Sequence, residues 1–206
     1  MELTAAEPRR KGLTQLYLDG EAAVKLDTQV FLQSGLKPGD QISDQELYEL
    51  IQASDARRAQ EKALYLLEYR NYSKRELTEK VARTAASREA AQAAAGRLEE
   101  LGLIDDRRYG ESYAKELFGR KGFGARRVAQ ELRRKGIAPE LVEELVAQYG
   151  GGPEQSGENI RRVLAKKYPG WAEDEKVRRR AFAALQRLGY SYQEIREAMG
   201  SWEDWE

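Results

Sequence analysis

Ala63-Leu64-Tyr65-Leu66-Leu67, three further residues, Asn71-Tyr72-Ser73, then Glu76-Leu77 shares one layout with Ala181-Phe182-Ala183-Ala184-Leu185, three residues, Gly189-Tyr190-Ser191, then Glu194-Ile195. Val128-Ala129-x-x-Leu132, followed by Gly136-Ile137-Ala138 and Leu141-Val142, repeats the spacing a third time, with Pro139 at a first helical turn. Each copy predicts a helix with an apolar face and a tight turn where Gly or Asn accepts a left-handed backbone. One apolar plug and a capped second helix then follow. A single helical hairpin cannot bury its own apolar face, so packed three-helix units are the expected architecture.

Working outward, units of similar length follow over residues 59–105, 106–149 and 158–200. Leu98-x-x-x-Gly102-Leu103 echoes the turn at the end of the first. Gly150-Gly151-Gly152-Pro153 with Ser156-Gly157 reads as a flexible joint over 150–157. Residues 201–206, with Trp202 and Trp205, form an acidic aromatic tail. Before the repeats, residues 1–58 read as an extension. Residues 13–18 and 21–26 are β-compatible runs around Asp19-Gly20, a dipeptide that favours a type I′ hairpin. Lys37-Pro38-Gly39-Asp40 is a turn, and Ser43 with Glu46 forms a capping box opening a helix that carries Leu47, Leu50 and Ile51. The fold expected is mainly all-α, three tandem three-helix repeats in an elongated, curved array, with a small N-terminal extension containing a β-hairpin.

Composition narrows the chemistry. The 206 residues are 41% hydrophobic and 34% charged, too apolar for a disordered chain and too charged for a membrane protein. There is neither Cys nor His. That excludes disulfides, Cys-based metal sites and the commonest general base, leaving carboxylate, Lys, Tyr or Arg chemistry to any enzyme. Met1 to Lys11 has no signal-like apolar core, and a cytoplasmic protein is expected.

The 35 basic and 35 acidic residues cancel in total but not along the chain. Residues 107–135 carry 10 basic against 3 acidic, and 136–157 carry none against 4. Residues 158–187 return to 9 against 4. Because fields act over about 8 Å at physiological salt, these blocks matter locally. At 100° per residue, Arg126, Arg127, Arg133 and Arg134 fan across the side opposite Val128, Ala129 and Leu132, on a helix with almost no Glu to pair with them. Arg120, Lys121 and Lys135 flank them. In the third unit, Arg161, Arg162, Lys166 and Lys167 project beside an apolar stripe of Ile160, Val163, Leu164 and Tyr168. Lys176, Arg179, Arg180 and Arg187 face away from Val177, Ala181, Leu185 and Leu188. Arginine's planar fork pairs with carboxylate or phosphate, so these surfaces suit an acidic protein groove or a nucleic-acid backbone; an ordinary solvated face is the competing reading.

Other features have plainer readings. Gly119 to Gly124 lacks the Gly-Lys-Ser/Thr ending of a phosphate loop and reads as a helix-opening turn. Asp105-Asp106 caps a helix rather than binding metal, and Tyr109, Tyr113 and Phe118 belong to a core.

The ordered set Ala63-Leu-x-x-Leu67 with Tyr72-Ser-x-x-Glu-Leu77, Leu101-Gly-Leu-Ile-Asp-Asp-x-Arg-Tyr109-x-Glu-Ser112, Lys121-Gly-Phe-Gly-Ala-Arg-Arg-Val128 and Glu131-Leu-x-x-Lys-Gly-Ile137 resembles the successive signatures of the RecX regulators of the RecA recombinase. Ala125 departs from the pattern, where the family often has Pro. The resemblance, over residues 60–199, implies a non-enzymatic protein without cofactor or metal. It implies binding in the groove of the RecA-DNA filament and modulation of the recombinase, with inhibition the expected sense. A monomer that leaves membranes alone and is able to contact single- or double-stranded DNA is the accompanying expectation. A sequence-nonspecific DNA-binding module acting without RecA is the alternative, and a carboxylate-dependent metal enzyme a remoter one.

Overall fold

A computed structural model describes residues 1–84 and 87–200. The acidic aromatic tail over 201–206 lies outside the described residues. The described chain forms two compact units, Met1–Ile104 and a second beginning at Asp105. Among the described residues, no helix is long and apolar enough to cross a membrane.

The first unit opens with an antiparallel meander, β1 (Leu3–Arg9), β2 (Leu13–Leu18) and β3 (Glu21–Asp27). The β2–β3 hairpin turns at Asp19 and Gly20, with φ of 50° and 86°, both left-handed as a type I′ turn requires. The sequence reading anticipates only these two strands. β1 is a third, an edge strand in which Pro8 is tolerated because one side needs no ladder donor. Leu3, Leu16, Leu18 and Leu26 are buried against Phe31 of α1 (Thr28–Ser34) and against Leu47, Leu50 and Ile51 of α2 (Asp44–Tyr69).

Ser43 caps α2 with the anticipated Glu46 capping box. The helix then runs 26 residues without a break, so the boundary expected at residue 58 falls inside it. Its first half packs on the sheet. Its second half places Ala59 and Ala63 against α3 (Lys74–Ala82) and α4 (Arg88–Glu100), where Leu77, Val81, Ala91, Ala95 and Leu98 are essentially inaccessible. Nothing in the local pattern stops the helix, because no Gly or Pro lies between 44 and 69. The extension and first repeat therefore share one element. Asp27 strengthens the tie: it caps α1 and pairs with Arg57 of α2 at 3.1 Å, while its N–H donates to Ser54 Oγ at 2.8 Å.

The second unit holds two bundles. α5 (Asp106–Lys115) is capped by Asp105 as expected and continues as a π-helical turn, Glu116–Arg120. With α6 (Ala125–Arg134) and α7 (Pro139–Tyr149) it encloses Ala114, Leu117, Val128, Leu132, Val142 and Leu145, and Tyr109, Tyr113 and Phe118 belong to that core. α8 (Gly152–Lys167), α9 (Glu175–Arg187) and α10 (Tyr192–Met199) enclose Ile160, Leu164, Ala181, Leu185 and Ile195. The expected joint over 150–157 is much shorter, since α8 already begins at Gly152. Pro153 suits a first helical turn, where its missing N–H goes unneeded.

The repeat predicted from the three copies is realised in detail. Tyr72, Ile137 and Tyr190 are the buried plugs, at 7%, 3% and 2% exposure. Ser73 and Ser191 cap the helices that follow them, and Pro139 starts the third.

Candidate functional site

The basic residues of the second unit divide into those held by partners and those left free. On α6, positions 127, 131 and 134 fall along one stripe, and Glu131 is 4% exposed. Its carboxylate receives Arg127 at 2.7 Å and Arg134 at 2.6 Å. The expectation of four outward, acid-free arginines is therefore corrected. Two of them neutralise a buried carboxylate, which repays its desolvation only when paired this closely. The i,i+4 and i,i+3 spacings around Glu131 were the available signal. Arg126 and Arg133 are exposed and form no salt bridge among the described residues, although the charge of Arg126 acts on Glu194. Lys135, half-buried, sets its ammonium 5.7 Å from the Tyr113 ring.

Glu116 in the π-helical turn holds both Arg120 and Lys121, the latter at 3.7 Å. The Arg120 hydrogen bond keeps that carboxyl below its usual range. On α9, Arg179 pairs with Glu175, whereas Lys176, Arg180 and Arg187 are exposed without carboxylate partners among the described residues. Arg178, which the sequence reading passed over, donates to the backbone carbonyls of Trp171 and Ala172 and fastens the turn before α9. On α8, Arg161, Arg162, Lys166 and Lys167 are all exposed and likewise unpaired among the described residues.

How α6 meets the third bundle bears on both groups. Gly124, in extended backbone at φ −78°, donates its N–H to Leu188 O at 2.8 Å, and Arg126 N–H donates to Gly189 O at 3.3 Å. A Cβ on Gly124 would lie 2.5 Å from the Gly189 carbonyl, and one on Gly189 would lie 2.4 Å from Arg127 N. Two glycines thus let backbone touch backbone. The Tyr190 hydroxyl donates to Gly122 O at 2.8 Å, and burial pushes its pKa up to about 12. Glu194 completes the capping box of α10. Burial would raise its pKa, but hydrogen bonds from Ser191 and Ser156, with the charge of Arg126, outweigh that and hold it low. The second and third bundles are therefore joined by direct contacts in place of a slack tether. No glycine-to-glycine pairing of this kind is readable from local sequence.

This arrangement displays guanidinium and ammonium groups on α6, α8 and α9 over a backbone-locked pair of bundles. The chain that carries it resembles known proteins in sequence and fold. Residues 105–146 match the family described as RecX, second three-helix domain, and residues 154–199 match RecX, third three-helix domain. A regulatory protein RecX of Trichlorobacter lovleyi is 33% identical over 138 residues, covering 66% of this chain and 89% of that protein. One of Clostridium acetobutylicum is 26% identical over 198 residues, 94% of this chain and 92% of its own. The crystal structure of a regulatory protein RecX shares the fold with a TM-score of 0.67 at 22% identity, covering 96% of this chain and 98% of the other. The paired bundles, their capped turns and this likeness over nearly the full chain agree: the chain belongs to the RecX family of regulatory proteins.

Proposed function

We propose that the protein regulates a RecA recombinase by binding in the groove of its DNA filament, without catalysing a reaction itself. The unpaired cations on α6, α8 and α9 are the observation that carries this reading. Arginine and lysine outside salt bridges retain hydrogen-bonding capacity for carboxylates and phosphates, and a filament groove offers both. Binding acts by occupancy: the bundles bridge neighbouring recombinase subunits, hinder their rearrangement and obstruct the second DNA strand. The protein works as a monomer in the cytoplasm, and its regulatory sense is inhibition.

The interface is proposed to comprise Arg126, Arg133, Arg161, Arg162, Lys166, Lys167, Lys176, Arg180 and Arg187. Arg127 and Arg134 serve first as partners of Glu131. The test is co-sedimentation with RecA filaments on single-stranded DNA, together with strand exchange and ATP turnover, for the wild type and for Arg126→Glu with Arg133→Glu. The double variant is expected to keep its fold, with a lower melting temperature because Arg126 no longer steadies Glu194, to bind filaments at least tenfold more weakly and to lose its effect on strand exchange. Equal binding by the two proteins would remove α6 from the interface, and no effect of the wild type on the filament would end the reading altogether. The same unpaired groups favour a second reading, direct contact with DNA phosphates in the absence of RecA. A steep fall of DNA affinity with salt is its signature.

A further inference from the structure

A groove of about 340 Å³ lies within the second unit, between the end of α5, the end of α7 and the start of α8. That is within the ~300–1,000 Å³ common for small-molecule sites. Lys115, Arg162 and Asn159 line it, with Phe118, Tyr149 and Gly151, and no carboxylate belongs to its lining. Asn159 is the unusual member. It is 8% exposed, and its side-chain amide, which makes no hydrogen bond among the described residues, keeps its accessible surface at the groove wall. An amide held on a largely buried side chain with its polar end open is placed to donate to whatever enters the groove.

The other donors converge on the same space. α8 starts at Gly152 after Gly151, with φ of 69° and 70°, and no side chain caps its first N–H groups. The positive end of this 16-residue helix, whose first turn also carries Glu154, adjoins the groove through Gly151 and Gln155. Lys115 rests its ammonium 5.0 Å from the Tyr149 ring, which holds that charge at the groove without neutralising it. Arg162 is exposed and has no carboxylate partner among the described residues. Gln155 turns its amide to Glu158 at 3.4 Å, and that carboxylate lies outside the lining.

A groove lined by two cations and an amide with no hydrogen bond of its own, and by no carboxylate, accommodates a small anion with several acceptor oxygens. We propose that this groove is a phosphate-binding site, with Lys115 and Arg162 clamping the charge and Asn159 donating from below. The phosphate is carried by a nucleic-acid strand or by a free nucleotide. The site goes beyond the recombinase reading and requires no filament to be tested.

The experiment is a titration of the isotopically labelled full chain, followed through the backbone amides of Gly150, Gly151 and Gly152 and the Asn159 side-chain amide. Four probes are compared: inorganic phosphate, thymidine 5′-monophosphate, thymidine, and a short oligothymidine lacking a terminal phosphate. Saturable shifts at these amides are expected with phosphate-bearing probes and none with thymidine. Tightest binding by the oligomer assigns the phosphate to a strand, and tightest binding by the monophosphate assigns it to a free nucleotide. Lys115→Gln with Arg162→Gln should weaken binding at least about tenfold, because charge-assisted hydrogen bonds are the strong ones. Asn159→Asp, nearly isosteric, should abolish it while thermal unfolding shows an intact fold. Lys37→Gln, an exposed residue of the first unit outside both the groove and the proposed interface, should change nothing. Absence of shifts with every phosphate-bearing probe, equal shifts with thymidine, or full binding by the double variant would each overturn the proposal.

Discussion

Adding one methyl group at Gly124 tests the contact that joins the second and third bundles. Gly124 sits at φ −78°, so alanine suffers no backbone strain there, and the entire effect is steric. Its Cβ would meet Gly189 C, Gly189 O and Tyr190 N, all at 2.5 Å, whereas ordinary contact begins at 3.4 Å. The surfaces must part by about 0.9 Å, the difference between those distances, and the atoms met are backbone with no rotamer to yield. Overpacking costs ~1–3 kcal/mol, and the upper end is expected here. Gly189→Ala adds backbone strain at φ 95° to a Cβ only 2.4 Å from Arg127 N, for a total of about 2–5 kcal/mol. Gly102→Ala is the control. Its φ is 71° but nothing lies within 4 Å of the added Cβ, so only the conformational cost of ~1–2 kcal/mol applies. Urea unfolding ranks the three variants. Hydrogen exchange then reports on the Gly124 and Arg126 amides, whose bonds to Leu188 O and Gly189 O should open in the first two variants and persist in the third. Gly124→Ala unfolding like Gly102→Ala, with both amides still protected, would refute the reasoning.

Arg127 and Arg133 lie on the same helix in opposite circumstances. Arg127→Ala strips one partner from buried Glu131 and is expected to cost about 2–3 kcal/mol, while Arg133→Ala is expected to stay within ~0.5 kcal/mol; equal stabilities in urea would refute the distinction. Acid stability tests Glu194, whose folded pKa lies below the ordinary 4.5. A carboxylate with a lowered folded pKa contributes stability above its unfolded pKa and loses it as pH falls through the folded value. The melting-temperature gap between the wild type and Glu194→Gln should be present at neutral pH and close on acidification below 4.5; a gap unchanged at low pH would show that the carboxylate charge contributes nothing.

The bundles were legible because their signals are local. Ser73, Ser191 and Pro139 announce helix starts from positions one turn away, and Tyr72, Ile137 and Tyr190 recur at one fixed offset in each turn. The Asp19-Gly20 hairpin is equally local. β1 escaped notice because Thr4-Ala5-Ala6-Glu7-Pro8 has little intrinsic strand character and becomes a strand by pairing with β2. The expected boundary at residue 58 failed for a related reason: a change of neighbours along α2, from sheet to bundle, leaves no mark in a continuous helical pattern.

Charge patterning located the basic helices but not the fate of each charge. Which arginines remain free depends on which carboxylates packing draws inward, as with Glu131. The amino-acid order alone determined the helices, their caps and the repeat, since these rest on interactions within a few residues. Tertiary structure alone decided the Gly124–Gly189 contact and the groove around Asn159. Each depends on groups distant in the chain meeting within a few ångströms, and that proximity exists only once the cores of both bundles have closed.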